Sequence, residues 1–147
     1  MSEITSQSLT ELVKNIKGKK ISSEEITKSF VVRSEKSKSL NSYITEDFSS
    51  ALKKAKIFDA KPNFDLKLPG IPIAVKDLFC TNGLKTTAGS KILNNFVPTY
   101  ESTVTQNIWN EGAILLGKLN CDEFAMGSSN ETSFFGNVTN PFGDKLV

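Results

Sequence analysis

Apolar and polar residues alternate at helical spacing near the start of the chain. Leu9, Leu12, Val13 and Ile16 recur at intervals of three and four positions, which predicts an amphipathic helix. Gly18 stands where the C-terminal cap of such a helix belongs.

Two more helices are predicted before residue 61. Ser22 and Glu25 have the spacing of a capping box and mark the start of the first. The second has lysines on one face and apolar side chains on the other, namely Phe48, Ala51, Leu52, Ala55 and Phe58. Residues 41–44 lie between them and are predicted to be a short extended segment. We therefore expect residues 1–60 to form a helical lead-in.

The pattern changes after a polar, proline-bounded connection at residues 61–69. Residues 71–75 and 113–116 are short apolar runs typical of buried strands, and residues 103–111 between them have the pattern of a helix. A strand, a helix and a strand in this order predict a right-handed parallel crossover. The fold class is therefore predicted to be α/β, with the start of the core in residues 68–147.

The last part of the chain shows little periodicity. Residues 122–126 are compatible with a short helix, whereas residues 127–143 are rich in Gly, Ser, Asn and Thr. A loop of this length is usually functional or disordered.

Composition narrows the classes of function. A net charge of +2 over 147 residues does not indicate a nucleic-acid surface, and the clustered lysines are better explained as solvated helix faces than as RNA contacts. The lack of histidine excludes Cys/His zinc sites and His-dependent nucleophilic catalysis supplied by this chain alone.

Cys80 and Cys121 lie far apart, which favours free thiols in a reducing compartment. With no membrane-length apolar run and no signal-peptide pattern, we expect a cytoplasmic location.

Lys76 closes the apolar run at residues 71–75 and has two interpretations. If the end of the strand is buried, the lysine is held out of water and can act as a base near neutral pH. If the strand emerges into solvent there, the lysine only marks that point. The pattern alone favours the second interpretation, because lysine is seldom buried unless it is paired.

Two other groups of residues are candidates for chemistry. Gly127, Ser128 and Ser129 combine close backbone approach with hydroxyl groups that can orient a polar substrate, but an ordinary turn has the same pattern and is favoured by it. Asp122 and Glu123 are a candidate metal or acid–base pair. Adjacent helical positions face different directions, so a role in the first turn of a helix is the better expectation.

Several segments together resemble the amidase signature family. The similarity begins with residues 68–77, LPGIPIAVKD, and continues through residues 86–90, TTAGS, and residues 112–120, GAILLGKLN. Its most specific part is DEFAMGSS at residues 122–129, followed by Phe135-Gly136 and Asn140-Pro141. This run resembles the glutamine-hydrolysing subunits of tRNA-dependent amidotransferases.

The resemblance implies the beginning of a mixed, mostly parallel sheet and a Ser–cis-Ser–Lys triad to which this chain contributes Lys76. Both serines would lie beyond residue 147, so we expect an N-terminal fragment that is inactive alone. Gly127, Ser128 and Ser129 become expected pocket-wall residues. In the implied mechanism Lys76 accepts a proton, through a bridging serine, from the serine that attacks the side-chain amide of glutamine.

The resemblance also implies partners of the B and C type in a heterotrimer. Ammonia released from glutamine would reach a partner subunit that uses ATP and Mg²⁺ to convert Glu-tRNA(Gln) to Gln-tRNA(Gln), and no cofactor is expected in this chain. Two alternatives stay open. One is a stand-alone amidase of the same family acting on another amide, and the other is a non-catalytic binding or assembly module.

Overall fold

The computed structural model describes residues 4–143 and 146. These residues contain four α-helices: α1 (Leu9–Lys17), α2 (Ser23–Lys36), α3 (Phe48–Ala60) and α4 (Thr103–Asn110). They also contain three strands: β1 (Tyr43–Glu46), β2 (Pro72–Lys76) and β3 (Ile114–Leu119). The predicted α/β class and the order of its elements are confirmed.

Reciprocal capping boxes fix where the first two helices begin. At α2, the backbone N–H of Ser22 donates to Glu25 Oε2 at 2.8 Å and the backbone N–H of Glu25 donates to Ser22 Oγ at 3.1 Å. This confirms the box predicted from the sequence. Ser8 and Glu11 form a second box at α1, which the hydrophobic pattern did not single out. Each box satisfies backbone donors that the helix leaves unpaired.

The three strands form one sheet in the order β1-β3-β2. The hydrogen bonds from Ile114 N to Ile71 O and from Asp77 N to Leu119 O advance together along both strands, so β2 and β3 run parallel. This confirms the parallel arrangement predicted for the crossover. β1, expected only as an extended segment, pairs antiparallel with β3. The sheet is therefore mixed, as the family resemblance implied.

The described residues divide into two compact units. One contains the residues up to Lys36 together with Asp47–Ile73 and Asn107–Leu116. Its apolar core is built on four buried residues from α1, α2 and the position just before β2: Leu12, Ile16, Ile26 and Ile71. The division into a lead-in at residues 1–60 and a core at residues 68–147 stays a prediction.

The other unit contains Ser37–Glu46, Ala74–Gln106 and the described residues from Gly117 onward. Every candidate site residue named from the sequence belongs to it. Within the described ranges, no helix combines the length and the apolar content of a membrane-spanning segment.

The short helix expected at residues 122–126 is not an α-helix. Only a 3-10 turn forms, at Glu123–Ala125, and Phe124 interrupts it with a φ of 52°. The N–H of Phe124 donates to Ala88 O at 2.7 Å instead of to a helical carbonyl. A tertiary hydrogen bond therefore replaces the local one. Residues 127–143 form neither helix nor strand, in agreement with the predicted loop.

Gly117 in β3 provides a test of this packing. Its φ is +155°, and a Cβ there would lie 2.3 Å from Thr45 O in β1. We expect Gly117→Ala to lower the free energy of unfolding by at least about 2 kcal/mol, because backbone cannot move aside cheaply. Urea denaturation monitored by circular dichroism measures the loss.

Gly83→Ala is the matched control. Gly83 also has a positive φ, +74°, but a Cβ there meets nothing within 4 Å. It should show only the cost of the left-handed conformation, about 1 kcal/mol. Equal losses in the two variants would contradict the close approach of β1 to Gly117.

Candidate active site

A cavity of about 460 Å³ brings together all of the predicted site residues except Glu123, which does not line it. All of its lining residues belong to the unit that contains residues from Gly117 onward. They include Lys76, Asn120, Asp122, Gly127, Ser128 and Ser129. Lys76 and the Gly-Ser-Ser segment, which are separated by about fifty positions, therefore line one cavity.

The parallel pairing of β2 and β3 explains why these residues meet. Lys76 is the last residue of β2, and Asn120 directly follows the last residue of β3. The carboxyl ends of parallel strands lie at the same edge of a sheet, which is the usual position of a site in an α/β protein. The chain after β3 then continues through Asp122 to Gly127 and completes the wall.

Lys76 itself is exposed. Among the described residues its ammonium group makes no hydrogen bond or ion pair. Burial of Lys76 by its strand is therefore not observed, and the strand does emerge into solvent at this point. Because the strand emerges into a cavity, the exposed position of Lys76 still agrees with the interpretation of this lysine as a base.

Lys118 is the buried lysine among the described residues of this unit. The side chains of Lys118 and Asp77 are both 0% exposed, and Lys118 Nζ lies 3.4 Å from Asp77 Oδ1. Burial lowers the pKa of Lys118 below its ordinary value of 10.5, and the charge of Asp77 opposes that shift. Lys118 was not identified as a site residue from the sequence, since nothing in the local pattern separates it from a solvated lysine.

Asp122 supports the loop that forms the far side of the cavity. Its carboxylate accepts hydrogen bonds from Asn130 N at 3.0 Å and from Thr132 Oγ1 at 2.9 Å. Burial raises the pKa of Asp122, but these hydrogen bonds and the nearby charge of Lys76 outweigh it and hold the pKa below 3.8. The expected first-turn role at a helix N-terminus is thus replaced by a loop anchor.

Gly127 is required by contact with the same carboxylate. A Cβ at this position would lie 2.4 Å from Asp122 Cγ. The two serines after it differ in their surroundings: Ser129 Oγ donates to Glu131 Oε2 at 2.6 Å, whereas Ser128 is exposed. In the part of the chain that the structure describes, the Ser128 hydroxyl has no protein partner, so it can bind a polar ligand.

Cys121 also lines the cavity but is a poor candidate for a nucleophile. Burial, followed by the charge of Asp77, raises the pKa of its thiol above the ordinary 9.0. A raised pKa reduces the reactive thiolate fraction.

The described residues also contain no group of three His, Cys, Asp or Glu side chains that could hold a metal ion. The cavity thus offers one ammonium group, one carboxylate and neutral amide and hydroxyl groups.

Asn120 and Asn130 are cavity residues that were not identified from the sequence, because only their place in the fold marks them. Asn120 and Asn130 both line the wall, and the side-chain amide of Asn130 donates to Asn120 Oδ1 at 3.4 Å. Neither belongs to a recognisable catalytic pattern. The place of Asn120 immediately after a strand that is parallel to the one ending at Lys76 is the signal that could have identified it.

A mixed α/β sheet with a cavity at the carboxyl ends of its two parallel strands defines the class of fold and site. Comparison with known proteins then identifies the family. Residues 25–147 match the Amidase family, and this chain belongs to it.

A curated relative covers the whole chain. The A-type subunit of glutamyl-tRNA(Gln) amidotransferase from Pelagibacter ubique (strain HTCC1062) is 81% identical over 147 residues, which are 100% of this chain and 30% of that protein. The chain thus spans about 30% of the length of the curated relatives it matches.

Solved structures of amidases share the fold. Fatty acid amide hydrolase superposes with a TM-score of 0.87 at 26% identity, over 97% of this chain and 26% of its own. The A-type subunit of glutamyl-tRNA(Gln) amidotransferase from Thermotoga maritima superposes with a TM-score of 0.70 at 26% identity, over 97% of this chain and 29% of its own. The mixed α/β fold is therefore that of amidase-signature enzymes.

The lowered pKa of Asp122 gives a pH-dependent prediction. A carboxyl group whose pKa is lower in the folded than in the unfolded chain stabilises the fold above its unfolded pKa, about 3.9, and loses that effect as the pH falls through the folded pKa. We expect Asp122→Asn to be less stable than the parent at pH 7 and to lose less stability between about pH 4 and pH 2. Urea denaturation at a series of pH values measures both effects.

Asp65→Asn is the control for a general change in charge. Asp65 is exposed and does not line the cavity. If Asp122→Asn had the same dependence of stability on pH as the parent, the hydrogen-bonded role of this carboxylate would be wrong.

Proposed function

We propose that this chain is the N-terminal part of the glutaminase subunit of an amidotransferase that converts Glu-tRNA(Gln) to Gln-tRNA(Gln). The observation that carries the proposal is that Lys76 and Gly127–Ser129 line the same cavity. The identity of 81% to the A-type subunit of such an amidotransferase supports the choice of substrate.

In this proposal Lys76 is the general base of a Ser–cis-Ser–Lys triad. It accepts the proton that the nucleophilic serine releases through the bridging serine, and the nucleophile then attacks the carboxamide carbon of glutamine. Both serines are proposed to come from outside the 147 residues. The 147-residue chain alone is therefore expected to lack glutaminase activity, since a base without its nucleophile supplies little catalysis.

The rest of the cavity is suited to an amide substrate. The backbone at Gly127 allows close approach, and the Ser128 hydroxyl can donate to or accept from a carboxamide. Asp122 places a carboxylate near the cavity, where it can bind a cationic group such as the α-ammonium of glutamine. We assign Gly127, Ser128 and Ser129 to substrate binding on this basis, without a catalytic role.

The proposal extends to the partners of the chain. Ammonia from glutamine would pass to a B-type subunit that uses ATP and Mg²⁺ to amidate the glutamyl group, with a C-type subunit completing a heterotrimer. No cofactor is assigned to this chain. A complex that acts on aminoacyl-tRNA would work in the cytoplasm.

A stand-alone amidase is the second candidate, and the TM-score of 0.87 with fatty acid amide hydrolase is the observation that favours it. The two functions differ in their need for partners. A stand-alone amidase would hydrolyse a simple amide at full rate without other subunits, whereas the amidotransferase subunit would need them for coupled amidation of tRNA.

The role of Lys76 can be tested in a hybrid protein. Residues 1–147 would replace the corresponding segment of the Pelagibacter relative, expressed with the other subunits of that enzyme. We expect Lys76→Ala to lower glutaminase kcat by at least about a thousandfold, because the base of the triad is lost. Glutamate release from glutamine measures the rate.

Lys53→Ala is the matched control, since Lys53 is an exposed lysine on α3 that does not line the cavity. It should retain the parent rate, and both variants should keep the parent's circular dichroism spectrum. Near-parent turnover by a folded Lys76→Ala hybrid would overturn the proposed function.

A further inference from the structure

Lys118 and Asp77 form a buried ion pair directly behind Lys76. Lys118 Nζ donates to Phe79 O and to Thr86 Oγ1, each at 2.7 Å, in addition to its 3.4 Å contact with Asp77 Oδ1. A fully buried ammonium group is tolerated only when charge and hydrogen bonds satisfy it in this way. Lys118 thereby fixes the backbone two residues after Asp77.

Asp77, the residue after Lys76, is held through both its carboxylate and its backbone. Its Oδ2 accepts from Thr87 N at 2.8 Å and from Thr87 Oγ1 at 2.5 Å. Its backbone N–H donates to Leu119 O and its carbonyl accepts from Ala88 N, both at 2.9 Å. The backbone that directly follows the Lys76 side chain is therefore immobilised.

The loop of residues 86–90 connects this ion pair to the cavity wall. A Cβ on Gly89 would lie 2.5 Å from Cys121 O, so the loop touches the wall backbone directly. Ala88 O accepts from Phe124 N at 2.7 Å, and Ser90 Oγ donates to Glu123 Oε1 at 2.5 Å. The same loop is thus bonded to Asp77 on one side and to the segment that carries the wall on the other.

We infer that the Asp77–Lys118 ion pair is a positioning device that holds the Lys76 side chain in register with the Gly127–Ser129 wall. Neither Asp77 nor Lys118 lines the cavity, so both act through Lys76 and the loop. The inference rests on the proposed function only in taking Lys76 as the group whose position matters. The chemistry of the site needs a base at a fixed distance from its partner, and a displacement of about 1 Å can cost about a hundredfold in rate.

The double variant Asp77→Asn/Lys118→Met tests the inference by removing both charges together. It avoids the unpaired buried charge that either single variant would leave. In the hybrid protein described above, we expect glutaminase kcat to fall by about 10- to 100-fold. KM should stay within about threefold of the parent value, because the substrate-binding wall is retained.

A spectroscopic measurement on the 147-residue chain tests position without activity. Reductive methylation with ¹³C-formaldehyde labels lysine amines, and loss of a signal in Lys76→Arg assigns that of Lys76. In the double variant we expect the Lys76 signal to move from its position in the parent, because the side chain changes its place in the cavity. Val31→Ala, which shortens a buried side chain in α2, is the control for general destabilisation and should leave the Lys76 signal in place.

Thr87 provides a second test if the double variant fails to fold. Thr87→Val keeps the side-chain shape but removes the hydroxyl that donates to Asp77, whereas Thr87→Ser keeps the hydroxyl. We expect Thr87→Val to displace the Lys76 signal and lower kcat, and Thr87→Ser to restore both.

The inference is overturned if a folded double variant, or Thr87→Val, keeps the parent Lys76 signal and the parent kcat. If Lys76→Ala retains activity, the proposed function fails instead, and the Lys76 signal still decides the positioning role.

Discussion

The burial of one ammonium group organises the unit that holds the candidate site. Lys118 lies on β3, and its side chain is fully enclosed, so its charge and its donors must be satisfied by protein. Asp77, Phe79 O and Thr86 supply those partners from the end of β2 and the segment after it. The contacts that satisfy Lys118 therefore fix the path of the backbone after Lys76, and this path shapes the cavity.

Lys76 and Lys118 differ in exposure, and this difference separates what each of them can do. Lys76 is exposed at a cavity, where a substrate can reach it, while Lys118 is enclosed and unavailable to any ligand. A residue that must contact substrate cannot also be locked by several protein hydrogen bonds. With the role proposed for Lys76, placing the locked lysine one strand away combines a side chain that a substrate can reach with a fixed backbone.

Local features of the sequence were enough to predict most of the fold. The helices α1, α2 and α3 follow from apolar spacing and, for α2, from the Ser22–Glu25 box, because both signals act within a few residues. The end of β2 at Lys76 follows from a short apolar run. The grouping of Lys76 with Gly127–Ser129 came from resemblance to a family, since no local pattern joins residues so far apart.

The features that the sequence did not reveal depend on contacts between distant residues. The burial of Lys118 is made possible by its pairing with Asp77, which lies just past the end of the neighbouring strand. The short helix expected at residues 122–126 forms only as a 3-10 helix at Glu123–Ala125, and the N–H of Phe124 donates to Ala88 O. The antiparallel partnership of β1 with β3 likewise has no signature within residues 41–44.

Backbone strain around the cavity shows how much these distant contacts contribute. Ala88, Phe124, Ala125 and Asn130 all have positive φ although none is glycine. Such conformations cost about 1–3 kcal/mol each and persist only where the surroundings fix them. Three hydrogen bonds between residues apart in sequence hold them: Ala88 N to Asp77 O, Phe124 N to Ala88 O, and Asn130 N to Asp122 Oδ2. A wall held in this way is already arranged before a ligand arrives, so binding requires little further ordering of the protein.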